Sequence, residues 1–171
     1  VLALNQIIQL NQIQKGQISL QSSEFNPLQL ISDLLAEYEP IAKQKGLDLS
    51  SHIHHIDYSL EGDAEKIQQI LSILLSNAIK YTPDQGSVSV ALEYIDGQLS
   101  VFIKDTGPGI NQLYQATVFN KFYREPQYNK ENTPNGLGIG LYVVKKFVSV
   151  MNGTVSIDSQ PGQGTTLCIK L

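Results

Sequence analysis

The sequence predicts an α+β protein, built as a two-layer α/β sandwich in which three helices cover one face of a mixed, mostly antiparallel sheet. Three long segments carry apolar residues at helical spacing, and several shorter ones alternate apolar and polar residues as strands do. Turn-forming residues separate these segments, so each is expected to form one element. With 171 residues, of which 42% are hydrophobic, the chain is long enough to bury one core.

The first element is an amphipathic helix that ends near Lys15-Gly16, where a glycine commonly follows the last helical turn. It starts at Val1 with neither an initiating methionine nor a capping residue, so we expect the chain to be a fragment of a longer protein. We assign residues 1–20 to this helix end and a junction, and residues 21–171 to one compact domain.

Two further helices have recognisable ends. Asn26 caps the first, Pro27 occupies its first helical position and Gly46 follows it, whereas Asp63 caps the next, which reaches about Tyr81. Short extended runs are expected between them, over residues 47–53 and 58–60. The apolar stripe of the earlier helix consists of Leu28, Ile31, Leu34, Leu35, Tyr38, Ile41 and Ala42.

The second half of the domain begins with a β-hairpin. Apolar residues alternate over 88–94 and 99–103 on either side of Asp96-Gly97, and Asp105 continues the inward face of the second strand. Residues 107–138 lack a regular pattern, a length that is typical of a functional loop. A helix over 139–151 and a closing pair of strands over 155–157 and 165–171 complete the chain.

Composition excludes several classes of protein. A net charge of −4 argues against a surface that neutralises nucleic-acid phosphates, and no apolar run reaches the length of a membrane span. Cys168 is the single cysteine, so no intrachain disulfide forms, and its strand-like neighbours predict a small core residue. We therefore expect a cytoplasmic location, with no contact of this fragment with membrane or nucleic acid.

Three separated segments each contain residues that can contact one part of a nucleotide. Asn77 and Lys80 lie on one side of a helix, where an amide oxygen can bind a cation, although a polar side chain at a helix edge is also ordinary. Asp105 ends a strand on its inward face and can accept a hydrogen bond from an adenine amine, or serve only as part of a turn. Gly136 to Gly140 open a helix whose amides can hold phosphates, although a glycine pattern alone is weak evidence. This glycine segment does not follow a strand, so it does not match the dinucleotide-binding template.

Taken together and in this order, these segments resemble those of the sensor histidine kinases of two-component systems. The wider ATPase superfamily of these kinases includes DNA gyrase and the mismatch-repair ATPases, and its Bergerat-type ATP-binding fold is the two-layer sandwich predicted above. The resemblance extends over about residues 20–171. The matching segments are 69–82 for the N box, 105–109 and 136–141 for the two glycine boxes, 119–124 for the F box, and 162–166 for the final glycine-threonine segment. Residues 10–16 resemble the end of the second dimerisation helix.

The resemblance implies ATP and Mg²⁺ as cofactors and a role for each matching residue. It makes Asn77 the magnesium ligand and, with Lys80 and Arg124, part of the catalytic set. Asp105 would recognise adenine, and a lid over 122–136 would close on ATP. The remaining nucleotide contacts implied are Tyr81, Gly107, Gly109 and Ile110 around the base, Lys130, Gly136, Gly138 and Gly140 around the phosphates, Thr165 near adenine, and Leu137 and Leu141 at no specified part of the nucleotide.

The implied activity is transfer of the ATP γ-phosphoryl group to a histidine on a dimerisation helix outside this fragment. The implied partners are a response-regulator receiver domain and the dimerisation helices of its own longer chain, which would be a homodimer. The implied location is the cytoplasm, either of a free protein or as the cytoplasmic part of a membrane-anchored sensor.

One residue departs from the family pattern. Ile73 occupies the position where the family's N box usually has a second asparagine, and isoleucine cannot bind a cation or orient a water. An alternative function is therefore a degenerate nucleotide-binding module that regulates phosphatase action or helix positioning, and a third is a serine kinase of the same superfamily. His52, His54 and His55 are expected on a solvated strand face, with zinc binding as the alternative.

Overall fold

The computed structural model describes residues 2–53, 59–124 and 136–171, and side chains from Ile7 onward. Helices α1 to α5 span Leu2–Gln14, Pro27–Gln44, Ala64–Tyr81, Gln112–Gln115 and Gly140–Val150. Strands β1 to β7 span Ser23–Phe25, Asp48–Ile53, Leu60–Gly62, Ser87–Ile95, Gln98–Asp105, Thr154–Ser159 and Thr165–Lys170.

The predicted fold class is confirmed. Five strands form one sheet in the order β2-β4-β5-β7-β6, in which β2 and β4 pair in parallel and the other neighbours are antiparallel. One face of this sheet carries buried side chains at alternate positions, such as Val88, Val101 and Ile169, against which α2, α3 and α5 pack. The sheet and these helices therefore enclose one core.

Side chains cap α2 and α3 as the sequence predicts. Asn26 Oδ1 accepts hydrogen bonds from the amides of Leu28 and Gln29, at 2.9 and 3.1 Å. Asp63 Oδ1 accepts from the amide of Lys66 at 2.9 Å, which satisfies a free donor in the first turn of α3. The other oxygen of the buried Asp63 accepts from the amide of Gln21 at 2.8 Å, so the junction is bonded to the start of α3.

Several details differ from the sequence prediction. Strands β1 and β3 form a separate two-stranded sheet, and the short helix α4 lies within the region expected to be irregular. Ile41 is 50% exposed because it lies at the edge of the predicted stripe of α2, outside the buried face. Cys168 is buried, as expected, but it lies on the sheet face opposite Leu167 and Ile169 because successive strand residues face opposite ways. In the described part of the chain, no helix has the length and apolarity that crossing a membrane requires.

Candidate nucleotide-binding site

A cavity opens between the last turns of α3, the end of β5, the start of β7, the start of α5 and the segment that follows β5. The space between its walls, together with the part that is open to solvent, is about 780 Å³. Its lining consists of Leu74, Asn77, Ala78, Tyr81, Ile103, Asp105, Pro108, Gly109, Ile110, Val118, Tyr123, Arg124, Leu141, Thr165 and Leu167. The cavity thus joins three of the segments that the sequence singled out.

Asp105 is the acid of this cavity. Its position on the inward face of β5 leaves it 9% exposed, and its Oδ1 accepts a hydrogen bond from the amide of Gly107 at 2.7 Å. Burial raises the pKa of Asp105, and the amides of Gly107 and Thr165 lower it in part. A ligand amine that donates to this carboxylate would stabilise its charged form.

Glycines let the backbone close tightly around Asp105. Gly164 has φ +84°, and a Cβ there would lie 1.9 Å from the carbonyl oxygen of Asp105. Gly109 has φ +69°, and its Cβ would lie 1.9 Å from the carbonyl oxygen of Gln160. Any other residue at these positions would push the loop after β5 away from the start of β7.

The C-terminal end of α3 contributes an amide and a phenol to one wall of the cavity, with an ammonium group beside them. Asn77 and Tyr81 line the cavity, and the Lys80 ammonium lies 4.9 Å from the centre of the Tyr81 ring. Lys45 donates hydrogen bonds to the carbonyl oxygens of Ile79 at 2.8 Å and Lys80 at 2.9 Å, and also to that of Thr82. These bonds satisfy the last carbonyls of α3 and place a positive charge at the negative end of its dipole.

Arg124 is close enough to Lys80 to affect the pKa of the lysine. Burial lowers the pKa of Lys80, and the positive charge of Arg124 lowers it further. Burial raises the pKa of Tyr81, which Arg124 offsets in part. Because two cations repel across this space, an anion between them is favoured, and a polyphosphate is such an anion.

The glycine-rich segment before α5 reaches this cationic end. A Cβ on Gly136 would lie 2.6 Å from the Lys80 ammonium, and one on Gly138, whose φ is +66°, would lie 2.5 Å from the carbonyl oxygen of Tyr123. Helix α5 starts at Gly140, and no side chain of the described residues caps its amides. The start of α5 therefore offers backbone donors a few residues after the contact between Gly136 and Lys80, and Leu141 lines the same cavity as Asp105.

Most of the residues predicted from the sequence lie in or next to one cavity. Asn77, Tyr81, Asp105, Gly109, Ile110, Arg124, Leu141 and Thr165 line it. Lys80, Gly107 and the segment 136–140 lie beside it through the contacts described above. Lys130 lies outside the described residues. The nucleotide contacts of these residues stay predictions.

The sequence prediction did not include seven of the lining residues. Helical and strand spacing could have found most of them, since Leu74 and Ala78 flank Asn77 on α3, Ile103 precedes Asp105 by two residues and Leu167 follows Thr165 by two. Pro108, Val118 and Tyr123 lie in loops, where no periodicity fixes the direction of a side chain.

Two other predicted features lie away from the cavity. Ile73 is 3% exposed, packs in the core and is not part of the lining. His52 is exposed on the edge strand β2, as expected, whereas His54 and His55 lie outside the described residues. Among the residues described, no group of three or more His, Cys, Asp or Glu side chains is placed to hold a metal.

A cavity that is lined by a buried acid and by Arg124, and by a residue from the uncapped start of α5, has the features of a nucleotide-binding domain. Residues 62–171 match the family described as histidine kinase-, DNA gyrase B-, and HSP90-like ATPase. The chain belongs to this family, because the match covers more than half of it.

Curated relatives are sensor histidine kinases. The chain is 32% identical to sensor histidine kinase RcsC of Salmonella typhimurium over 169 residues, which are 98% of this chain and 18% of that protein. It is 34% identical to sensor histidine kinase GacS of Pseudomonas protegens over 173 residues, or 98% of this chain and 19% of that protein. The chain therefore spans about a fifth of the length of these relatives.

Solved structures of histidine kinases have the same fold. Full-length ShkA in complex with AMPPNP superimposes with a TM-score of 0.86 at 24% identity, over 98% of this chain and 34% of that one. The mycobacterial sensor histidine kinase MprB superimposes with a TM-score of 0.71 at 26% identity, over 90% of this chain and 97% of that one.

Proposed function

We propose that residues 21–171 are the ATP-binding catalytic domain of a sensor histidine kinase and that residues 1–20 are the end of its dimerisation helix and a junction. The observation that carries the proposal is that Asp105 and Leu141, which belong to two separate segments of the sequence, line one cavity. Family membership and relatives that are sensor histidine kinases support the same function. The cytoplasm, or the cytoplasmic part of a membrane-anchored sensor, is the location proposed.

In this proposal the adenine ring lies between Tyr81 and the apolar residues of β5, with its amine on Asp105. Gly107, Gly109 and Ile110 shape the base pocket, and Thr165 lies beside the base. The phosphates extend towards Lys80 and Arg124 and the amides at the start of α5. This orientation uses both charged ends of the cavity, whereas the reverse orientation would put phosphates against the Asp105 carboxylate.

The chemistry of Asn77 fits Mg²⁺. Its side chain lines the cavity on the α3 wall that also carries Lys80, and an amide oxygen is a hard ligand of the kind that Mg²⁺ accepts. Because Mg²⁺ keeps several waters and takes further ligands from substrate phosphates, a single protein ligand is sufficient. Bound there, Mg²⁺ would neutralise phosphate charge during transfer.

Phosphoryl transfer depends mainly on position and charge, and this chain supplies both. Lys80 and Arg124 hold the polyphosphate, Asp105 fixes the base, and the start of α5 binds phosphate oxygens. The acceptor is a histidine on a dimerisation helix that lies outside this sequence, in a homodimer of the longer protein. The response-regulator receiver domain then takes the phosphoryl group.

The test has two parts. Calorimetry should show that the chain binds Mg-ADP, and radiolabelled ATP should leave the chain itself unlabelled. Addition of the histidine-bearing segment of its own longer protein should then give a label that acid removes, as expected of phosphohistidine. Stable labelling of His52, His54 or His55, or an acid-stable serine product, would contradict the proposal.

Ile73 favours a second candidate, a nucleotide-binding module with little kinase activity. Its aliphatic side chain is buried in the core, so no polar group stands one turn before Asn77. Transfer to the histidine-bearing segment should be compared between the native chain and Ile73→Asn. Absence of transfer in the native chain, together with transfer by the variant, would favour the module.

A further inference from the structure

A hydrogen-bond cluster centred on Ser159 contacts Thr165, which lines the cavity. Ser159 and Thr165 are paired residues at the end of β6 and the start of β7, and they are 8% and 9% exposed. Ser159 Oγ accepts from the amide of Ile110 at 2.8 Å, lies 2.8 Å from the carbonyl oxygen of Gly164 and lies 2.9 Å from Thr165 Oγ1. One hydroxyl group therefore has three partners.

These distances determine where both hydroxyl protons lie. A carbonyl oxygen has no proton, so the proton between Ser159 and Gly164 belongs to Ser159. The amide of Ile110 occupies one lone pair of the same oxygen. The short contact between the two hydroxyl oxygens then also needs a proton, and only Thr165 is left to supply it.

Thr165 thus directs its proton towards Ser159 and keeps its lone pairs for other partners. Thr165 lines the cavity, and so does Asp105, its paired residue on β5. An ionised carboxylate only accepts hydrogen bonds. The two residues therefore form one wall of the cavity, and the side-chain oxygens of this wall are acceptors.

We propose that Ser159 is a positioning residue that sets base specificity, by holding the Thr165 proton so that this wall accepts hydrogen bonds and donates none from its side chains. Such a wall binds a purine with an amine at position 6 and disfavours one with an oxygen there, since adenine presents a donor and a 6-oxo purine an acceptor. The inference rests on the proposed function, because it takes an adenine nucleotide as the occupant of the cavity.

The experiment compares the dissociation constants of ADP and inosine diphosphate, whose bases differ in the group at position 6 and in the proton that inosine carries on N1. The ratio of the two constants on one preparation does not depend on the folded fraction. We expect the native chain to favour ADP by at least about 100-fold, since a site that hydrogen-bonds a polar group rejects ligands that lack it. Ser159→Ala frees the Thr165 hydroxyl to donate, and should reduce this preference about tenfold.

Two matched variants separate positioning from loop structure. Gln115 Nε2 donates to the carbonyl oxygens of Ile110 and Ser159, at 3.1 and 2.6 Å, so Gln115→Leu loosens the same loop without touching Thr165. Gln115→Leu should weaken the binding of ADP and of inosine diphosphate equally, and so leave the ratio of their dissociation constants unchanged. Thr165→Val should reduce the ratio as Ser159→Ala does, and the double variant should be no worse than Thr165→Val alone.

The outcomes are distinguishable. Failure of the native chain to bind ADP would overturn the proposed function itself. If ADP binds, three results would overturn only the role of Ser159. They are an ADP preference that Ser159→Ala leaves unchanged, a loss of preference in Gln115→Leu as large as in Ser159→Ala, and losses that add in the double variant. If Ser159→Ala does not fold, Ser159→Cys makes the same test, because a thiol is a weak hydrogen-bond partner.

Discussion

The Lys45 ammonium lies 2.9 Å from the carbonyl oxygen of Lys80. A residue just after α2 therefore caps the end of α3, the helix end that carries the Lys80 side chain beside the cavity. Lys45 is half-buried and bonds two further carbonyls of the same helix end. It therefore offsets the negative end of the α3 dipole, close to where the phosphates are proposed to bind.

Lys45→Met should weaken both the fold and phosphate binding. Loss of charge-assisted hydrogen bonds to the end of a partly buried helix should lower the free energy of unfolding by about 2–3 kcal/mol in urea titrations. By calorimetry, affinity for ADP should fall more than affinity for adenosine, which has no phosphates. Lys43→Met is the control, because the exposed side chain of Lys43 forms a surface ion pair with Glu39 and should contribute less than about 1 kcal/mol. An equal loss for ADP and adenosine would show that Lys45 acts only on the shape of the site.

Asp105→Asn should reduce ADP affinity about 10- to 100-fold, because the amine of the base loses a charged acceptor worth about 1.5–3 kcal/mol. The fold should survive, since asparagine has nearly the same shape and can still accept from the amide of Gly107. Circular dichroism would check the fold and calorimetry the affinity. Unchanged ADP affinity in this variant would refute the role of Asp105 in recognising adenine.

Nucleotide binding should also depend on pH through Asp105. Its pKa in the folded chain is raised by burial, so the carboxyl protonates at a higher pH than an ordinary aspartate. A ligand amine needs the ionised form, and ADP affinity should therefore fall as pH decreases through this raised pKa. Because the pKa of Asp105 is higher in the folded chain than in the unfolded chain, the stability that Asp105 contributes without ligand is greatest below its pKa in the unfolded chain. This stability is lost as pH rises through its pKa in the folded chain. Calorimetry across this pH window should show that Asp105→Asn removes the part of the pH dependence of ADP affinity that comes from Asp105. Arg124 and Tyr81 are present in both proteins, so their contribution is common to both.

Gly164→Ala should destabilise the domain by more than the cost of a positive φ at a residue other than glycine. The added Cβ would collide with the carbonyl of Asp105, whereas Gly162, with φ +78°, has nothing within 4 Å of an added Cβ. Gly162→Ala should therefore cost about 1–2 kcal/mol for left-handed backbone alone. Gly164→Ala should exceed it by at least about 2 kcal/mol in thermal or urea unfolding. Equal losses would mean that the close approach of these two strands tolerates a methyl group.

Tyr123→Phe should change stability and binding in opposite directions. The Tyr123 hydroxyl is buried at the cavity and has no hydrogen-bond partner in the described part of the chain. Its removal should raise the free energy of unfolding of the free chain by about 1 kcal/mol, because an unsatisfied buried hydroxyl is costly. If the nucleotide or its bound water satisfies this group, ADP affinity should fall. A stabilised variant with unchanged affinity would place the hydroxyl outside the binding interaction.

The sequence predicted the features that short-range patterns determine. The caps at Asn26 and Asp63, the hairpin around Asp96-Gly97 and the inward direction of Asp105 all follow from residues within a few positions of one another. Lys45 could not be assigned to the end of α3, because that contact joins residues 34 to 37 positions apart. The pairing of β1 with β3 was missed for the same reason, since three-residue strands carry almost no periodicity.

The bond between Gln21 and Asp63 has a mechanical consequence. Asp63 holds the junction with one carboxylate oxygen and the first turn of α3 with the other. Helix α3 has 18 residues, so it is a rod of about 27 Å whose far end carries Asn77 and Lys80. A displacement of the chain upstream of residue 21 would thus act on the first turn of α3, and the Asn77 amide and the Lys80 ammonium lie near the other end of the same helix.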